Sequence, residues 1–536
     1  MPSILNILKV TKTPLICAVL LLLGVSVAMQ LEGLVTYKLP LGTLLISLGM
    51  LIRFWREEAL YAVALTFALT STLFHLSFQP QPPESLSDRT LWAHGVVKSI
   101  SERSNGRYNV WLEEPRLFTH LGTVDVPSAR LSVAANQVSV LKVGEGASIQ
   151  GKAFAPDPMK EGDTFDAIGY ARFYGPTLRG YGQGLISNSS LLESAPARNV
   201  GFIKVTYWKV RQGFYDLVKS RTSGEGGALL TALMTGHRDG VSYETKDAFR
   251  TAGLSHLLAI SGLHLALVTG LAYFGLRRMI GFHPKIINRI NTQKWAAVPA
   301  LILCITYMLM AGASLPTVRA SVVLGLLLTA ILINHNANPL RLLCVAVWVV
   351  VALWPYSVAG PSFQMSFVAA FALMLFSRVG YKDHYHWSMG WWHMPFGYMK
   401  GVFIGSLIAT LATMPFVAWH FGTVSLLGLF ANLVAVPLTG LIILPMALLA
   451  VVLMPIGLDA PFWWMAQWGA ELLIGWSYWV ETIPFGVFEV SHKNVVYIAL
   501  IAVLGLLILP LKKALAKRLK LRYSAPAIKR KKHWQT

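Results

Sequence analysis

The chain has 536 residues, of which 54% are hydrophobic and only 13% are charged, and its mean hydropathy is +0.54. Soluble domains carry about 25% charged residues, so this composition excludes an ordinary soluble domain and predicts an integral membrane protein. The formal net charge is +21, and the C-terminal end carries much of it.

Residues 1–79 form the predicted N-terminal membrane region, with apolar runs near residues 13–30, 39–53 and 59–79. The second run is short and fits a tilted or re-entrant helix. Lys9 and Lys12 before the first run also resemble the start of a signal peptide. No clear small-residue cleavage site follows, so we predict an uncleaved first span.

Residues 80–200 are polar and rich in glycine. Four segments with alternating apolar and polar residues predict strands: TLWAHGVVKSI, GRYNVWLEE, ARLSVAA and GASIQGKAF. A lone sheet beside a membrane would leave its edges exposed, whereas a barrel closes them. We therefore predict a small all-β, OB-like barrel inserted into a polytopic α-helical membrane protein.

Aromatic and basic side chains in this β region fit single-stranded DNA, because rings stack on bases while guanidinium groups contact phosphates. The candidates are Trp92, Arg103, Arg107, Tyr108, Trp111 and Arg130. Alternating aromatics in a small barrel equally form its core. The region also contains Glu102, Glu113 and Glu114, so we expect any DNA binding to be weak and sensitive to salt.

Residues 201–225 include FIKVTYWKVRQGFYDLVKSR, in which aromatic and basic residues recur at roughly helical spacing. The segment lacks the uninterrupted apolar length of a membrane span. It predicts an amphipathic helix at the membrane surface; an ordinary connecting helix is the alternative.

Residues 226–511 form the predicted channel domain. Its candidate spans lie near residues 253–276, 295–313, 316–334, 340–356, 361–377, 401–420, 424–453, 461–482 and 492–511. The run 424–453 contains Pro437 and Pro445, which predict a broken helix. With the N-terminal runs, the total is about twelve spans.

Basic residues between these spans determine the predicted topology. Residues 512–536 hold ten lysines and arginines, and no acidic residue follows Glu489. If this tail is a positive-inside anchor, about twelve spans place it in the cytoplasm and the β region outside. Binding of the tail to lipid or nucleic acid is the second interpretation.

Arg319 lies inside an apolar run, and no Asp or Glu occurs between Asp247 and Asp383. An ionisable group at membrane depth is costly and marks a pathway or site by default. Arginine and histidine without carboxylates suit an anion, whereas cation channels use acidic rings. Alternatively, Arg319 bonds carbonyls freed by Pro316.

Other polar residues in these runs are candidates for the same pathway. They are Arg250, His256, Ser261, His264, Gln364 and Asn432. Ser261 and His264 would lie on neighbouring positions of one helix and could bond phosphate. The alternative is that neighbouring helices satisfy these polar groups, a common contact in membrane bundles.

Several segments taken together resemble the ComEC competence family. They are GLSHLLAISGLHL (253–265), AGASLPTVRAS (311–321), PSFQMSFVAA (361–370), ANLVAVPL (431–438) and the soluble segment EGDTFDAIGYARFY (161–174). The resemblance implies an inner-membrane channel for single-stranded DNA during natural transformation, with an external OB-type domain. It also implies further DNA-uptake proteins as partners: an external DNA receptor, a separate nuclease, and a cytoplasmic helicase or single-strand-binding protein.

The sequence departs from that family in one respect. Many members continue into a metallo-β-lactamase-like domain after the last span, and we expect this chain to be a form that lacks it. His384 and His386 beside Asp383 fall short of a two-metal cluster. Cys17, Cys304 and Cys344 lie in apolar runs, which disfavours a disulfide framework or a Cys-based zinc site. We therefore expect no cofactor, no metal and no nuclease activity.

Two other functions remain possible interpretations of the sequence. Gly312-Ala313-Ser314-Leu315 resembles the nucleophile segment of an intramembrane serine protease, with His256 or His264 as base. The order of histidine and serine is reversed from that motif's usual setting. A proton-coupled transporter of a small anion would require buried carboxylates, for which Glu471 is the clear candidate.

Overall fold

The fold was obtained as a computed structural model, which describes most of the chain from residue 89 onwards. The described residues are 89–119, 122–126, 128–154, 178–186, 200–282, 291–334, 339–353, 360–380, 393–484, 486–490, 494 and 497–498. The predicted N-terminal spans, the segment 161–174, the histidines at 384 and 386, most of the last predicted span and the basic tail lie outside these residues.

Six strands form the sheet of the N-terminal described part: β1 Arg89–Glu102, β2 Tyr108–Thr119, β3 Gly122–Asp125, β4 Ser128–Val133, β5 Gly146–Phe154 and β6 Leu178–Ile186. The short helix α1, Ala135–Val138, follows β4. All four segments predicted as strands are confirmed, and β3 and β6 are additional. Apolar side chains alternate into one core that includes Leu91, Val97, Leu112 and Ile149.

Each strand pairs with specific neighbours. The order of the sheet is β1-β5-β6-β4-β2-β3, and β1 also pairs with β2. All pairings are antiparallel except β4 with β6, which is parallel. Because β1 is long and pairs with β2 as well as β5, both of its edges are satisfied by hydrogen bonds.

Helices make up most of the remaining described chain. They are α2 Phe202–Arg221, α3 Gly224–Thr235, α4 Tyr243–Thr251, α5 Ser255–Leu258, α6 Gly262–Gly281, α7 Thr292–Met310, α8 Leu315–Leu332, α9 Pro339–Leu353, α10 Pro361–Gly380, α11 His393–Phe421, α12 Gly428–Pro437, α13 Leu444–Leu453 and α14 Ala460–Glu481. Two short strands, β7 Thr423–Ser425 and β8 Val487–Glu489, pair with each other.

Four helical stretches in the described part of the chain are long and apolar enough to cross a membrane: Thr292–Met310, Leu315–Leu332, Gly397–Phe421 and Gly428–Ile456. They coincide with four of the predicted spans. The protein is therefore mostly helical, with several apolar helices and a small sheet region, and the total of twelve spans stays a prediction.

The broken helix expected in the run 424–453 is not found: Gly428–Ile456 is one helical stretch, interrupted only by a π-helical turn. Pro437 ends α12, residues Leu438–Ile443 are π-helical, and α13 then resumes the α-helix. Proline lacks the amide hydrogen that would continue the ladder, and Gly440 lets the turn pack against Leu267.

One predicted span needs correction. The run 253–276 does not form a single helix, because Ala259 has an extended backbone (φ −93°, ψ 137°) between α5 and α6. Helix α6 begins only at Gly262, with Ser261 as its N-terminal capping residue. The hydrogen bond at this helix start runs from Ser261 N to His264 Nδ1, as in the backward half of a capping box.

Candidate nucleic-acid interface and membrane pathway

Helix α2 holds the sheet against the helical part of the chain. The Gln212 side chain donates to Ile100 O (3.0 Å) and accepts from Ile100 N (3.1 Å). The Tyr215 hydroxyl accepts from Glu102 N at 3.1 Å, and Lys219 forms an ion pair with Glu102. Trp208, Tyr215 and Val218 are buried. These contacts agree with the connecting-helix interpretation, and a position at the membrane surface stays a prediction.

Asp239, in the turn between α3 and α4, extends this contact to other strands. It accepts from Ser101 Oγ at 2.5 Å, and Arg130 Nη1 lies 3.8 Å from its Oδ1. Burial alone would raise the pKa of Asp239, but hydrogen bonds from Ser101 and Asn109 and the charge of Arg130 hold it below 3.8. The carboxylate is therefore ionised at neutral pH. We call Ser101, Arg130, Gln212, Tyr215 and Asp239 the sheet–helix junction.

The other two predicted arginines of the β region meet at one serine of β4. Arg107 donates from Nε to Ser132 Oγ (3.1 Å) and from Nη2 to Ser132 O (2.8 Å), while Arg103 Nη1 lies 3.4 Å from the same hydroxyl. Arg103 and Arg107 lie in the turn between β1 and β2, and both contact the strand β4 that carries Arg130. Each of them is partly exposed, so their guanidinium groups can reach a ligand from solvent.

The three predicted aromatic residues of the β region are partly buried. Tyr108 packs against the sheet core, with Lys219 Nζ 5.7 Å from its ring centroid. Lys98 Nζ lies 5.7 Å from the Trp111 ring. Trp92 is in β1 opposite Phe118. Since lysines cover part of two rings, these side chains contribute to packing, and stacking on bases stays a prediction.

On its other side, α2 contacts the ends of two helices. The Tyr207 hydroxyl donates to Leu309 O at 2.9 Å, and Arg211 Nη2 donates to Thr235 O at 3.1 Å. A Cβ on Gly312 would lie 2.5 Å from Arg211 Nη2. The guanidinium thus fills the space above Gly312, in the segment that precedes α8. Burial lowers the pKa of Arg211.

Three of the four membrane segments that resemble the family signature are linked by contacts, and the first of them also reaches Gly428, three residues before the fourth. A Cβ on Gly253 would lie 2.8 Å from Gly428 Cα, and one on Gly262 would lie 3.5 Å from Ala320 Cβ. Arg319 Nη2 donates to Ser362 Oγ at 2.7 Å. These contacts join residues 253–265, 311–321 and 361–370 to the start of α12. We call Gly253, Gly262, Arg319, Ser362 and Gly428 the signature cluster.

Arg319 and Gln364 are deeply buried, with exposed fractions of 2% and 0%. The Gln364 side-chain oxygen lies 2.9 Å from His420 Nε2 of α11. Asn432, one turn into α12, is half-buried, and its Oδ1 has no hydrogen-bond partner among the described residues. The sequence prediction of polar groups inside the apolar helices is thus realised, and Arg319 lies at the contact between α8 and α10.

The serine and histidines of the predicted polar stripe occupy different positions. His256 lies on α5 and is exposed, whereas His264 on α6 is fully buried. Ser261 N donates to His264 Nδ1 at 3.3 Å, so this imidazole satisfies an amide at the helix start. Within the described structure, His264 Nε2 and Ser261 Oγ have no hydrogen-bond partner. His264 therefore has one structural contact and one free nitrogen.

Arg250 differs from the other pathway candidates. It is exposed on α4, and its Nη2 lies 2.7 Å from Asp247 Oδ1. The structure therefore places it on the surface with a carboxylate and not among the buried helices. Ser314, the candidate protease nucleophile, lies 3.2 Å from Thr317 Oγ1. Among the described residues, no group of three or more His, Cys, Asp or Glu side chains could hold a metal ion.

Comparison with known proteins agrees with this arrangement. The family model described as Competence protein matches residues 233–514, which is more than half of the chain and includes the whole signature cluster. The chain belongs to the Competence protein family. No solved structure matches it.

Three curated relatives each match half of the chain or less. ComE operon protein 3 of Bacillus subtilis is 28% identical over 268 residues, which is 50% of this chain and 31% of the relative. Recombination protein 2 of Haemophilus influenzae is 27% identical over 246 residues, which is 44% of this chain and 29% of the relative. Competence protein ComA of Neisseria gonorrhoeae is 32% identical over 101 residues, which is 19% of this chain and 14% of the relative. The chain thus covers less than a third of each relative's length.

Sequence reasoning did not identify several residues that the structure places at these sites. Ser362 and His420 contact Arg319 and Gln364 from 43 and 56 residues away, a separation at which spacing carries no signal. Asp239 and His237 belong to the turn GHRDG, whose charged and glycine residues mark a loop between helices. Burial and Arg211 lower the pKa of His237 to about 3, so its imidazole is neutral at the junction.

Proposed function

We propose that the chain is a multi-pass inner-membrane channel that carries single-stranded DNA into the cytoplasm during natural transformation. The observation that carries the proposal is Arg319, buried in a helix apolar enough to span a membrane and bonded to Ser362 where the signature segments meet. Membership of the Competence family supports a role in DNA uptake.

The chemistry of the buried helices favours an anion as the transported species. Between Asp247 and Asp383 the chain has no acidic residue. Arg319 therefore gives this region a positive charge that attracts phosphate. Arginine presents a planar fork that matches phosphate oxygens. Polar side chains at membrane depth face the bundle interior or a water-filled path, and His264, Gln364 and Asn432 supply hydrogen-bonding groups there.

The sheet region is the proposed external DNA-binding domain, with an OB-like barrel as its fold. Support for the barrel comes from the pairing of β1 with both β2 and β5, together with the parallel pairing of β4 and β6. Arg103, Arg107 and Arg130 would contact phosphates. Weak, salt-sensitive binding is expected, because counterion release governs such contacts.

The topology in this proposal comes from the distribution of basic residues. About twelve spans would place residues 80–200 outside the cytoplasm and residues 512–536 inside it. Partners would be single-stranded DNA, membrane lipid and other DNA-uptake proteins: an external receptor, a separate nuclease, and a cytoplasmic helicase or single-strand-binding protein.

The proposed activity is transport without catalysis or cofactor. A serine protease would require a base beside its nucleophile. The Ser314 hydroxyl contacts Thr317, and His264 Nδ1 is occupied by Ser261 N. A proton-coupled transporter would require a buried acid, whereas Glu471 lies on an exposed face and accepts a hydrogen bond from Gln467. Both observations favour the channel.

The test is uptake of labelled DNA in cells that lack the chain and carry either the natural sequence or Arg319→Ala. We expect Arg319→Ala to abolish or strongly reduce uptake at normal membrane levels of the protein. Arg319→Lys keeps the charge but loses the planar fork, so partial uptake would indicate a bidentate phosphate contact.

Arg277→Ala is the matched control, because Arg277 is exposed near the end of α6 and outside the signature cluster. It removes one positive charge and should leave uptake unchanged. Normal uptake by Arg319→Ala at normal protein level would refute the pathway. Uptake that is unaffected when the whole chain is deleted would refute the proposed function itself.

A further inference from the structure

A pocket of about 220 Å³ opens where the sheet meets α4, and residues from both regions line it. Arg103 comes from the turn after β1 and Arg130 from β4, while Tyr243 and Lys246 come from the first turns of α4. Asp239 is the carboxylate in the lining. Three cationic side chains and one carboxylate give the pocket a net positive charge, so an anion is the favoured occupant.

The cationic groups of the pocket have room to bind a ligand. Arg130 forms an ion pair with Asp239, at 3.8 Å from Nη1 to Oδ1, and its side chain stays partly exposed. Lys246 Nζ donates to Val241 O at 2.6 Å and can donate two further hydrogens. Burial lowers the pKa of Lys246, the charge of Asp239 raises it, and the charge of Arg103 lowers it. An anion bound between Lys246 and Arg103 would offset the repulsion between these two cations.

An aromatic ring stands at the edge of the pocket. Tyr243 is 75% exposed, although it is a large aromatic residue at the start of a helix. An exposed ring beside cationic groups matches the pattern of single-strand binding, in which a base stacks while its phosphate is held by Arg or Lys. An ordinary phosphate site would gain nothing from the ring.

We propose that this pocket binds one nucleotide of the single strand, with Arg103, Arg130 and Lys246 on its phosphate and Tyr243 stacked on its base. The proposal rests on the proposed function and extends it, because the DNA site then includes α4 of the Competence region as well as the sheet. The strand would pass from sheet to helices at this point.

The test uses the full chain in an uncharged detergent and a fluorescein-labelled oligothymidylate, titrated at several salt concentrations. Lys246→Gln should weaken binding about ten-fold at low salt, as expected for one charge-assisted contact. It should also reduce the slope of log K against log salt by about 0.7. Lys142→Gln, which removes an exposed lysine of the sheet region, is the matched control and should change neither.

Tyr243 separates stacking from a charge effect. Tyr243→Ala should weaken binding about ten-fold with the salt slope unchanged, and Tyr243→Phe should restore it, because stacking needs the ring alone. Both variants change an exposed side chain. Inorganic phosphate and thymidine 5′-monophosphate are added as competitors, and the nucleotide should compete better than phosphate.

Three results would overturn the inference. The first is that the natural chain does not bind oligothymidylate. The second is that Lys246→Gln and Lys142→Gln bind it with equal affinity. The third is that inorganic phosphate competes as well as the nucleotide does. The last result would assign the pocket to free phosphate. If Lys246→Gln binds normally while Arg319→Ala still loses uptake in cells, this inference fails and the proposed function stands.

Discussion

Basic side chains are held differently at the sheet–helix junction and in the signature cluster. At the junction they are partly exposed and lie near carboxylates, as Arg130 does near Asp239. In the signature cluster Arg319 is 2% exposed and donates to the hydroxyl of Ser362.

This difference corresponds to two kinds of interaction with an anion: reversible binding at the surface and passage through the buried helices. Exposed ion pairs contribute little to stability and are screened by salt, so junction cations can exchange a carboxylate for phosphate at low cost. A buried cation in an acid-free region is expensive to maintain. Its retention argues for a role in passage, whereas the junction argues for reversible capture.

The largest expected loss of stability comes from a substitution that disrupts the signature cluster. Gly253 has φ +71°, and a Cβ there would lie 2.8 Å from Gly428 Cα. Gly253→Ala combines a left-handed backbone, costing about 1–2 kcal/mol, with a clash against backbone that cannot move aside. We expect a loss of several kcal/mol, seen as a lower melting temperature of the purified chain.

Gly270→Ala is the control for that substitution. Gly270 is inside α6, and nothing lies within 4 Å of its Cβ position. Alanine favours helix over glycine by about 1 kcal/mol, so the melting temperature should stay the same or rise. Equal destabilisation by both changes would contradict the close packing of Gly253 on Gly428.

The next effect concerns the sheet. Trp111 is partly buried and has Lys98 against its ring. Full truncation of a buried Trp costs about 3–5 kcal/mol, so we expect roughly 2 kcal/mol from Trp111→Ala. Thermal unfolding and limited proteolysis of the full chain would measure this. Tyr108→Ala should behave similarly, since Tyr108 also packs on the core.

DNA titration of the same variants sharpens the comparison. If the rings only pack, oligothymidylate affinity should follow stability, and Trp111→Phe should recover part of both. A variant that keeps its melting temperature but loses DNA affinity would instead identify a ring that stacks on bases, and would move the DNA site towards β2.

Acid should loosen the junction. The pKa of His237 is lowered from 6.5 to about 3, so folding disfavours its protonated form, and stability declines as pH falls below 6.5. The pKa of Asp239 is held below 3.8, so its contribution is present above 3.8 and is lost as pH falls through the lowered value. Each group changes stability by at most about 1.4 kcal/mol per pH unit.

Melting temperatures across this pH range test the assignment. His237→Gln should make the decline between pH 6.5 and about 4 shallower and leave the decline at lower pH, which belongs to Asp239 and other carboxylates. A profile for His237→Gln that matches the natural chain throughout would show that His237 does not govern the acid sensitivity.

The smallest expected effect on stability is at His264. His264→Ala removes the acceptor for Ser261 N, a capping contact worth about 1 kcal/mol. His264→Gln can still accept that amide, as glutamine does at this position of a capping box. We expect the glutamine variant to recover the melting temperature but not DNA uptake. Full recovery of uptake would assign His264 a structural role alone.

Sequence patterns predicted the parts of this fold that depend on local periodicity. Strands β1, β2, β4 and β5 alternate clearly, whereas β6, LRGYGQGLI, contains three glycines and is held by long-range pairing with β4 and β5. The break before Gly262 escaped prediction because LAISGLHL is continuously apolar apart from single polar residues. Around this break, Ile260 lies near Gly236 and Gly262 lies near Ala320, and both partners are distant in sequence.

In the candidate site, too, some features follow from local sequence patterns and others depend on long-range contacts. Burial of Arg319 and Gln364 follows from polar residues in apolar runs, and the structure agrees. The junction could not be predicted, because Gln212, Tyr215 and Asp239 contact strand residues more than 100 positions away. The exposed ion pair of Arg250 with Asp247 was likewise not evident from the sequence, and a role for Arg250 in the pathway stays a prediction.

The contact of Arg211 with Gly312 has a consequence for the history of the family. The guanidinium occupies the space that any side chain at position 312 would need, so neither position can change freely alone. Among homologous sequences, a larger residue at 312 should occur together with a shorter one at 211. In this chain, Gly312→Ala should be tolerated better when combined with Arg211→Ser than by itself.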